Sequence, residues 1–422
     1  MENYFNLFDK NLKLTSKQQQ DAKTKYNSVC KSLHNNYYSS KYDGSTKFLF
    51  GSYKKKTNIR PMSKIQDVDV LFKIPKEIFE KFDNYSSNGQ SALLQDIRKV
   101  LNKTFTTTEK ISGWGKVVLV QTTDGTHNVE VLPAYELEDK TFKIPNSEDG
   151  GSWEIFNPRE DINIFQNINK QSNGLVPIVT RMLKSWKRQN KTLDIKSYQI
   201  EQYVMDYFEK NSVENIDIEM IISLFEFIKS SIGEDSKSFI ETAIQRLEIA
   251  QKLKNDEKYQ EVTKKLKLIF GDKFPSYSNN IKVSMESLDE DIAPNEQFID
   301  ELFEVDLFND YSFKLDCEFT QDGFQKYKLV QFLQKVKILK KNLKLTFSFK
   351  TDIPKPYKVY WKVRNFGEEA KKTKNLRGQI IKGSYSKTEI TLYKATHYVE
   401  CYIVKDNICI AIDKIDVPIG DI

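Results

Sequence analysis

The chain has 422 residues, which is too long for one ordinary domain and suits two or three. Hydrophobic residues make up 39% of the chain and aromatic residues 12%, a composition that excludes a disordered protein. The formal net charge of +6 is small for this length, so a protein that binds nucleic acid by bulk charge alone is also excluded.

Short-range features exclude further protein classes. No run approaches the ~18 consecutive apolar residues that cross a bilayer, and the N-terminus lacks the pattern of a secretion signal. The four cysteines have no CxxC spacing, and only three histidines are present, which argues against a His/Cys zinc site. We therefore predict a cytoplasmic protein without membrane contact. If it is an enzyme, we expect its chemistry to rest on carboxylates.

The first third of the chain predicts a mixed sheet with helices packed on it. Residues 1–45 have a polar helical pattern, and residues 91–103 carry apolar side chains at helical spacing. Between them lie two short β-rich runs, TKFLFGSY and QDVDVLFKIP. Two more β-rich runs follow within residues 115–136, with a predicted turn at Thr123-Asp124-Gly125. A helix between strands that also form hairpins indicates a mixed sheet.

From about residue 169 the apolar pattern is helical for a hundred residues. The apolar faces predict helices near 175–186, 197–209, 217–231, 236–253 and 256–270. Pro177 lies near the start of the first of these helices, where proline is tolerated. The polar, acidic stretch 276–296 has no periodicity and predicts a linker.

Beyond this stretch the period of the apolar pattern changes to two. A possible helix at 297–304 precedes several alternating strands with Gly, Pro and Asn turns, which predict a small β-sandwich. The predicted division is a catalytic core at 1–168, a helical lobe at 169–275, a linker at 276–296 and a β-rich domain at 297–422. The predicted fold class is α+β.

Three acids form the most informative pattern in the chain. Asp67 and Asp69 are two residues apart in a β-rich run, so their side chains emerge on the same face of the strand. Glu130 lies in a second β-rich run that an adjacent position in the sheet could bring to that face. Clustered carboxylates repel one another unless a cation lies between them, and oxygen ligands suit Mg²⁺ or Mn²⁺. Gly51-Ser52 precedes the acids and could bind phosphate through its amides and hydroxyl.

These strings resemble the core of a known family. FGSYKKKTNIRP, QDVDVLF and HNVEVLPAYE, in this order, are similar to the bacterial cGAS/DncV-like nucleotidyltransferases, the CD-NTases that make cyclic oligonucleotide second messengers. NGLVPIVTRMLKSWKRQN and KSYQIEQYV resemble the helical lobe of that family, and the match spans about residues 40–275. The resemblance implies a polymerase-beta-like nucleotidyltransferase sheet followed by a helical lobe.

The resemblance also implies roles for single residues. It makes Asp67, Asp69 and Glu130 the metal ligands, and Gly51, Ser52, Lys184 and Ser197 the residues around the donor triphosphate, with Tyr198 stacking on a base. The third acid of the family is usually Asp, and Glu130 departs from that pattern. Without the family, Lys184 is also consistent with a solvated helix lysine, and Tyr198 with a core aromatic.

The C-terminal region resembles a second family. VYWKVRNFGEEAKKTKNLRGQIIKG and the strands after it are similar to the AGS-C domain, a proposed sensor attached to such synthases. Residues 355–394 contain 11 basic side chains against 3 acidic ones, which could attract an anionic ligand or nucleic acid. An evenly solvated lysine surface is the competing interpretation.

Together these patterns predict a metal-dependent nucleotidyltransferase. We expect it to join NTPs into a cyclic di- or trinucleotide with release of pyrophosphate, in bacterial anti-phage (CBASS) signalling. A monomer is expected, and a separate effector protein would bind the product. Two alternatives stay open: nucleotide transfer to an RNA end or a protein hydroxyl, and a catalytically silent nucleotide or nucleic-acid sensor.

Overall fold

The computed structural model describes residues 2–60, 66–123, 126–277, 296–320, 326–335 and 338–420. The chain divides into two compact units, one formed by Met1–Leu14 and Thr24–Val283, the other by Thr15–Lys23 and Ser284–Ile422. The predicted turn residues Asp124 and Gly125, and the predicted linker 276–296 except for its ends, lie outside the described residues.

The first unit begins with helices, continues with a sheet and ends with more helices. Its first elements are α1 (Glu2–Leu12), α2 (Ser16–Tyr37), β1 (Lys47–Leu49), α3 (Gly51–Lys55), β2 (Gln66–Lys73), α4 (Lys76–Asp83), α5 (Gly89–Thr104), β3 (Lys110–Trp114), β4 (Val117–Gln121), β5 (His127–Glu136), β6 (Phe142–Asn146) and β7 (Ser152–Phe156). The helices that follow are α6 (Pro158–Gln171), α7 (Leu175–Gln189), α8 (Ser197–Lys210), α9 (Ile218–Lys229), α10 (Glu234–Asn255) and α11 (Tyr259–Phe270).

The sheet of this unit is mixed, as predicted. Its strand order is β1-β2-β5-β4-β3, with β6 joining β5 to β7. β2 and β5 are parallel, whereas the other pairs are antiparallel. In β2 the acid–Val alternation gives way to three consecutive buried residues, Val70, Leu71 and Phe72. Only the first half of β2 can therefore present polar side chains on an open face.

The helical pattern from residue 175 onward is confirmed by α7 to α11. Pro177 lies in the first turn of α7, where its missing N–H breaks no intrahelical bond. Asp217 caps α9 by accepting a hydrogen bond from the Met220 amide at 2.8 Å. Helix α1 contributes Phe5 and Phe8 to the buried core of these helices.

The second unit contains two antiparallel sheets. Its elements are α12 (Ile299–Leu302), β8 (Glu304–Val305), β9 (Phe313–Thr320), β10 (Lys326–Lys328), α13 (Leu329–Lys335), β11 (Lys344–Thr351), β12 (Lys358–Arg364), α14 (Glu368–Lys372), β13 (Arg377–Gly383), β14 (Ser386–Ile390), β15 (Ala395–Lys405) and β16 (Ile408–Ile419). One sheet has the order β10-β9-β11-β14 and the other β13-β12-β15-β16-β8. The short strand β8 pairs in parallel with β16 and is the exception to the antiparallel pattern.

A shared core joins these two sheets. Phe347 and Phe349 of β11 pack in one buried cluster with Trp361 of β12 and Cys401 of β15. Alternate residues of each strand enter this cluster, as in a β-sandwich. The predicted α+β class with a C-terminal β-sandwich-like domain is confirmed. Among the described helices, none combines the length and apolar character that crossing a membrane requires.

Candidate active site

Strands β2 and β5 bring the three predicted acids to one face of the sheet. Asp69 and Glu130 are register partners in the parallel pair, and Asp67 is the partner of Asn128. Register partners in neighbouring strands point to the same side, and so do residues two apart in one strand. The acids that the sequence placed together by spacing are therefore neighbours in the sheet.

Burial and like charge raise the pKa values of two of these acids. Burial, and then the charges of Glu130 and Asp67, raise the pKa of Asp69 to about 7. Burial and the charge of Asp67 hold the pKa of Glu130 above its ordinary value. Asp69 and Glu130 therefore resist ionisation, because each new negative charge would be buried beside other carboxylates.

The donor set of this face fits an oxygen-preferring divalent cation. A cation between the carboxylates would reverse the repulsion that raises the pKa of Asp69, and carboxylate oxygens are the ligands of Mg²⁺ and Mn²⁺. Among the described residues, no three acid, His or Cys side chains already form a metal-ligand set.

Gly51 and Ser52 begin α3 directly beside the acids. Gly51 has φ +65°, and a Cβ atom added there would lie 2.5 Å from Oδ2 of Asp69. Only glycine combines this backbone conformation with such a close approach. The close approach that Gly51 permits is therefore to Asp69, and phosphate binding by Gly51 and Ser52 stays a prediction. Ser52 is the second residue of the same short helix.

Lys184 lies in a buried charge network rather than in solvent. Its Nζ is 2.8 Å from Oε1 of Glu201 and 3.1 Å from Oγ1 of Thr57, and the Lys184 side chain is 8% exposed. Lys55 also pairs with Glu201, at 3.4 Å, and with Asp161, at 2.7 Å. The interpretation of Lys184 as a solvated helix lysine is wrong, because α7 packs this side of the helix into the core.

The network and the acid face influence each other electrostatically. Burial would raise the pKa of Glu201, but Lys184 and Lys55 hold that pKa below its ordinary value. Burial lowers the pKa of Lys184, which Glu201 partly offsets. Lys184 lowers the pKa of Asp69 and Glu201 raises it, so both charges act on the acid cluster. Lys184 is therefore the cation that the structure connects to the predicted acids.

Ser197 and Tyr198 form the first turn of α8. Both residues are exposed, and Tyr198, at 69%, is unusually exposed for an aromatic residue. The interpretation of Tyr198 as a core aromatic is wrong, since the residues of α8 that enter the core are Ile200, Val204 and others further along. Glu201, on the same helix one turn after Ser197, connects α8 to Lys184.

Two residues of this site were missed by sequence reasoning. Asn128 is 3% exposed, and its Nδ2 donates to Oδ1 of Asp67 at 3.0 Å while its Oδ1 accepts from the Thr122 amide at 3.1 Å. Asn128 therefore orients one acid. Glu201 neutralises Lys184 and lies inside the quoted string KSYQIEQYV, where the Glu four residues after Ser197 was the available signal.

Comparison with known proteins agrees with this architecture. Residues 1–169 match the family model of the Second Messenger Oligonucleotide or Dinucleotide Synthetase (SMODS) domain. Residues 293–420 match the model of the Adenylyl/Guanylyl and SMODS C-terminal sensor domain, AGS-C. A probable cyclic nucleotide synthase, IK1_05630 of Bacillus cereus (strain VD146), is 22% identical over 284 residues, which are 56% of this chain and 85% of that protein.

Two solved structures are similar in fold. Vibrio cholerae DncV cyclic AMP-GMP synthase, in complex with the linear intermediate 5′ pppA(3′,5′)pG, has a TM-score of 0.51 and 12% identity. The match covers 65% of this chain and 96% of DncV. E. coli MS115-1 CdnC with ATP has a TM-score of 0.47 and 16% identity, over 65% of this chain and 99% of CdnC. The chain thus joins a SMODS nucleotidyltransferase domain of the CD-NTase fold to a C-terminal AGS-C sensor domain.

Proposed function

We propose that this protein is a metal-dependent nucleotidyltransferase that makes a cyclic di- or trinucleotide second messenger from NTPs. The observation that carries the proposal is the shared face of Asp67, Asp69 and Glu130 on β2 and β5, within a SMODS domain. The Bacillus cereus relative, a probable cyclic nucleotide synthase, and DncV, a cyclic AMP-GMP synthase, support the same reaction class.

The acids of this face have distinct tasks in the reaction. Asp67 and Asp69 hold the cation, Mg²⁺ or Mn²⁺, and Glu130 completes the ligand set. When bound, the cation stabilises charge on the attacking and leaving oxygens. Glu130 also accepts the proton of the attacking ribose hydroxyl. The hydroxyl oxygen bonds to the α-phosphorus while the bond to pyrophosphate breaks.

The residues around the acids hold the donor nucleotide. Ser52 and Ser197 donate hydroxyl hydrogen bonds to the triphosphate, and Gly51 lets the backbone approach it. Lys184 supplies positive charge at the same place, and Glu201 keeps its ammonium at a fixed position at 2.8 Å. Tyr198, 69% exposed, offers an aromatic face for a base.

Two partners follow from this function. NTPs are the substrates, and a separate effector protein activated by the cyclic product would act in anti-phage (CBASS) signalling. The AGS-C domain would restrain or trigger synthesis in response to a ligand of its own. A protein of similar fold supports nucleotide binding, since Vibrio cholerae DncV was solved with ATP and GTP.

Product analysis by mass spectrometry tests the proposal. The full chain is incubated with all four NTPs and Mg²⁺ or Mn²⁺, beside Asp67→Ala/Asp69→Ala and a matched control, Asp139→Asn, which changes an exposed acid of the same unit. A phosphatase-resistant cyclic oligonucleotide that only the double variant fails to make would support the synthase. Linear additions to RNA or protein would instead identify the acceptor alternative.

Ligand binding tests the remaining alternative. A silent sensor would bind nucleotide without consuming it under either metal. Isothermal titration with a non-hydrolysable ATP analogue, beside incubation of an analogue-free portion of the same preparation with all four NTPs, separates the two cases. Binding with no ATP consumption and no product in any buffer would contradict the synthase.

A further inference from the structure

The outer face of the five-stranded sheet in the second unit buries two cations. In β12, Val359, Trp361 and Val363 enter the sandwich core, so Lys362 and Arg364 point to the opposite face. A solvated face would let both long side chains extend into water. Instead each is only 2% exposed, and the fully buried state of Lys or Arg requires a partner. The interpretation of region 355–394 as an evenly solvated lysine surface is wrong for these two residues.

One carboxylate neutralises this buried pair. Oε1 of Glu296 is 2.7 Å from Nζ of Lys362, and its Oε2 is 2.8 Å from Nε of Arg364. The Tyr398 hydroxyl also donates to Oε1 at 3.1 Å. Burial would raise the pKa of Glu296, yet the two cations hold that pKa below its ordinary value. Glu296 is therefore a charged carboxylate that contacts both cations and the Tyr398 hydroxyl, as a bound anion would.

Aromatic rings complete the surroundings of the cations. The ring of Phe366 lies 4.4 Å from Cζ of Arg364, and the ring of Tyr398 lies 5.6 Å from Nζ of Lys362. Both rings belong to the sheet side of the site, since Tyr398 is on β15 and Phe366 follows β12. Phe298, 4.6 Å from Nζ of Lys362, comes instead from the same segment as Glu296.

The charge balance of this face depends on Glu296. The two rows of register partners through Lys362 and Arg364 also contain Arg377, Lys414, Glu400 and Asp416. Lys414 pairs with Asp416 at 2.9 Å, and Arg377 pairs with Glu389 at 2.6 Å. Withdrawing Glu296 would leave Lys362 and Arg364 without the carboxylate that contacts both of them.

The segment that carries Glu296 lies against the edge strand β13. Gly378 has φ +115°, and a Cβ atom there would lie 3.2 Å from Cα of Glu296, so glycine makes room for the segment. The Gln297 amide donates to the Gly378 carbonyl at 3.1 Å, and Oε1 of Gln297 accepts from the Ile380 amide at 2.8 Å. These bonds join the segment to the edge of β13. Further along, Ile299 is 2% exposed and Phe303 lies 5.0 Å from the ring of Tyr360, so both pack on the same sheet.

We infer that Lys362 and Arg364 form a phosphate-binding site, which the carboxylate of Glu296 occupies in this structure and a nucleotide phosphate occupies in its place. The guanidinium group and the ammonium match two oxygens of a phosphate as they match the carboxylate. Phe366 and Tyr398 remain beside the site and present aromatic faces to a base. Displacement of Glu296 would free residues 296–298, while Ile299 and Phe303 stay packed on the sheet, and this local release is how ligand binding changes this unit.

Hydrogen–deuterium exchange of the full chain tests this inference. The exchange of peptides covering 296–303 and 358–366 is measured with inorganic phosphate, AMP or adenosine at constant ionic strength. Phosphate and AMP are expected to accelerate exchange in 296–303 and not in 358–366, whereas adenosine has no effect. A response to both anions at similar concentrations assigns the phosphate group alone, and a lower midpoint for AMP assigns a nucleotide. An equal response to acetate would overturn the assignment to phosphate.

Matched variants make the test independent of the nucleotidyltransferase site. In Glu296→Gln the competing charge is lost, so the midpoint for phosphate should fall at least about fivefold. Glu318→Gln, which changes an exposed acid of β9, should behave like the wild type, and Arg364→Met should lose the response. Isothermal titration measures the phosphate midpoint of Glu296→Gln, because that variant has already lost the ion pair that phosphate would open. If phosphate and AMP leave the exchange of 296–303 unchanged in the wild type, or if Arg364→Met responds as the wild type does, the inference is wrong.

Discussion

Two sheets of this protein carry charged side chains on a protected face, and they balance that charge differently. In the first unit, Asp69 and Glu130 are register partners, and burial with mutual repulsion raises their pKa values. In the second unit, Lys362 and Arg364 share the carboxylate of Glu296 at 2.7 and 2.8 Å. Among the described residues, no cation forms an ion pair with the acid face, whereas the basic face contains the carboxylate of Glu296.

Under the two proposals above, the acid face requires a cation as its ligand, whereas the basic face already contains the Glu296 carboxylate in place of a phosphate. Clustered carboxylates with raised pKa values are stabilised by a cation and strained without it. A buried ion pair, by contrast, is destabilised strongly when one partner is removed. The same substitution, a carboxylate to an amide, should therefore act in opposite directions on the two faces.

The largest expected effect is the loss of synthesis in Asp69→Asn. The amide cannot ionise, so the acid face loses a cation ligand, and product formation should fall about a thousandfold. Product is quantified by mass spectrometry with Mg²⁺ and NTPs. Asn128→Ala, which removes only the hydrogen bond to Asp67, should cause a smaller loss. Full activity in Asp69→Asn would contradict the assignment of the acid face.

The pH dependence of stability sharpens the comparison next. The pKa of Asp69 is about 7 in the folded protein, whereas its ordinary value in an unfolded chain is 3.8. Between pH 3.8 and about pH 7, therefore, only the folded protein keeps this carboxyl protonated. The contribution of Asp69 to stability is fully present below pH 3.8 and is lost as the pH rises through about 7. The loss is on the order of 4 kcal/mol.

Hydrogen exchange of β2 and β5 in EDTA, measured from pH 4.5 to 8, detects this decline. Asp69→Asn should lack the decline because its side chain does not titrate. Mg²⁺ should reduce the decline in the wild type by favouring the ionised carboxylate. Parallel pH profiles of the wild type and Asp69→Asn in EDTA would show that Asp69 does not carry a raised pKa.

Paired substitutions compare the two faces directly at pH 8 in EDTA. Asp69→Asn removes a repelling charge and should raise the free energy of opening of β2 by about 2 kcal/mol. Glu296→Gln leaves Lys362 and Arg364 buried without their carboxylate and should lower that of β12 by about 3 kcal/mol. Hydrogen exchange of each strand measures both values. Changes of the same sign would remove the contrast between the faces.

The smallest expected effect concerns Tyr198. Because this side chain is 69% exposed, Tyr198→Ala should leave the melting temperature unchanged. If the ring stacks on a base, KM for NTP should rise about tenfold. Tyr198→Phe should retain the wild-type KM, and Trp114→Ala, which removes another exposed aromatic of the first unit, serves as the matched control. An unchanged KM in Tyr198→Ala would exclude stacking.

Features that depend on short-range sequence patterns were predicted well. The alternation of acid and Val in β2 places Asp67 and Asp69 on one face of any strand, whatever the rest of the fold. Helical periodicity likewise predicted α7 to α11, because one apolar face must be buried in each. The change of period to two beyond the predicted linker identified the β-sandwich for the same reason.

Features that depend on which elements pack together could not be predicted. Nothing in the pattern of α7 separates a buried Lys184 from a solvated one, because its partner Glu201 lies on another helix. Asn128 orients Asp67 only because β5 pairs with β2 in one register. Exposure of Tyr198 depends on which side of α8 enters the core.

The sequence by itself determined the α+β fold class, the helices α7 to α11 and the spacing of Asp67 and Asp69 on one strand face, since periodicity, spacing and motif are local properties of a chain. Tertiary structure alone decided how each charge is balanced. The distance between Lys362 and Glu296, or between Lys184 and Glu201, is set by packing of segments far apart in sequence. Coulomb energy depends on distance and burial, so the pKa values of the acids and of Glu296 follow from that packing.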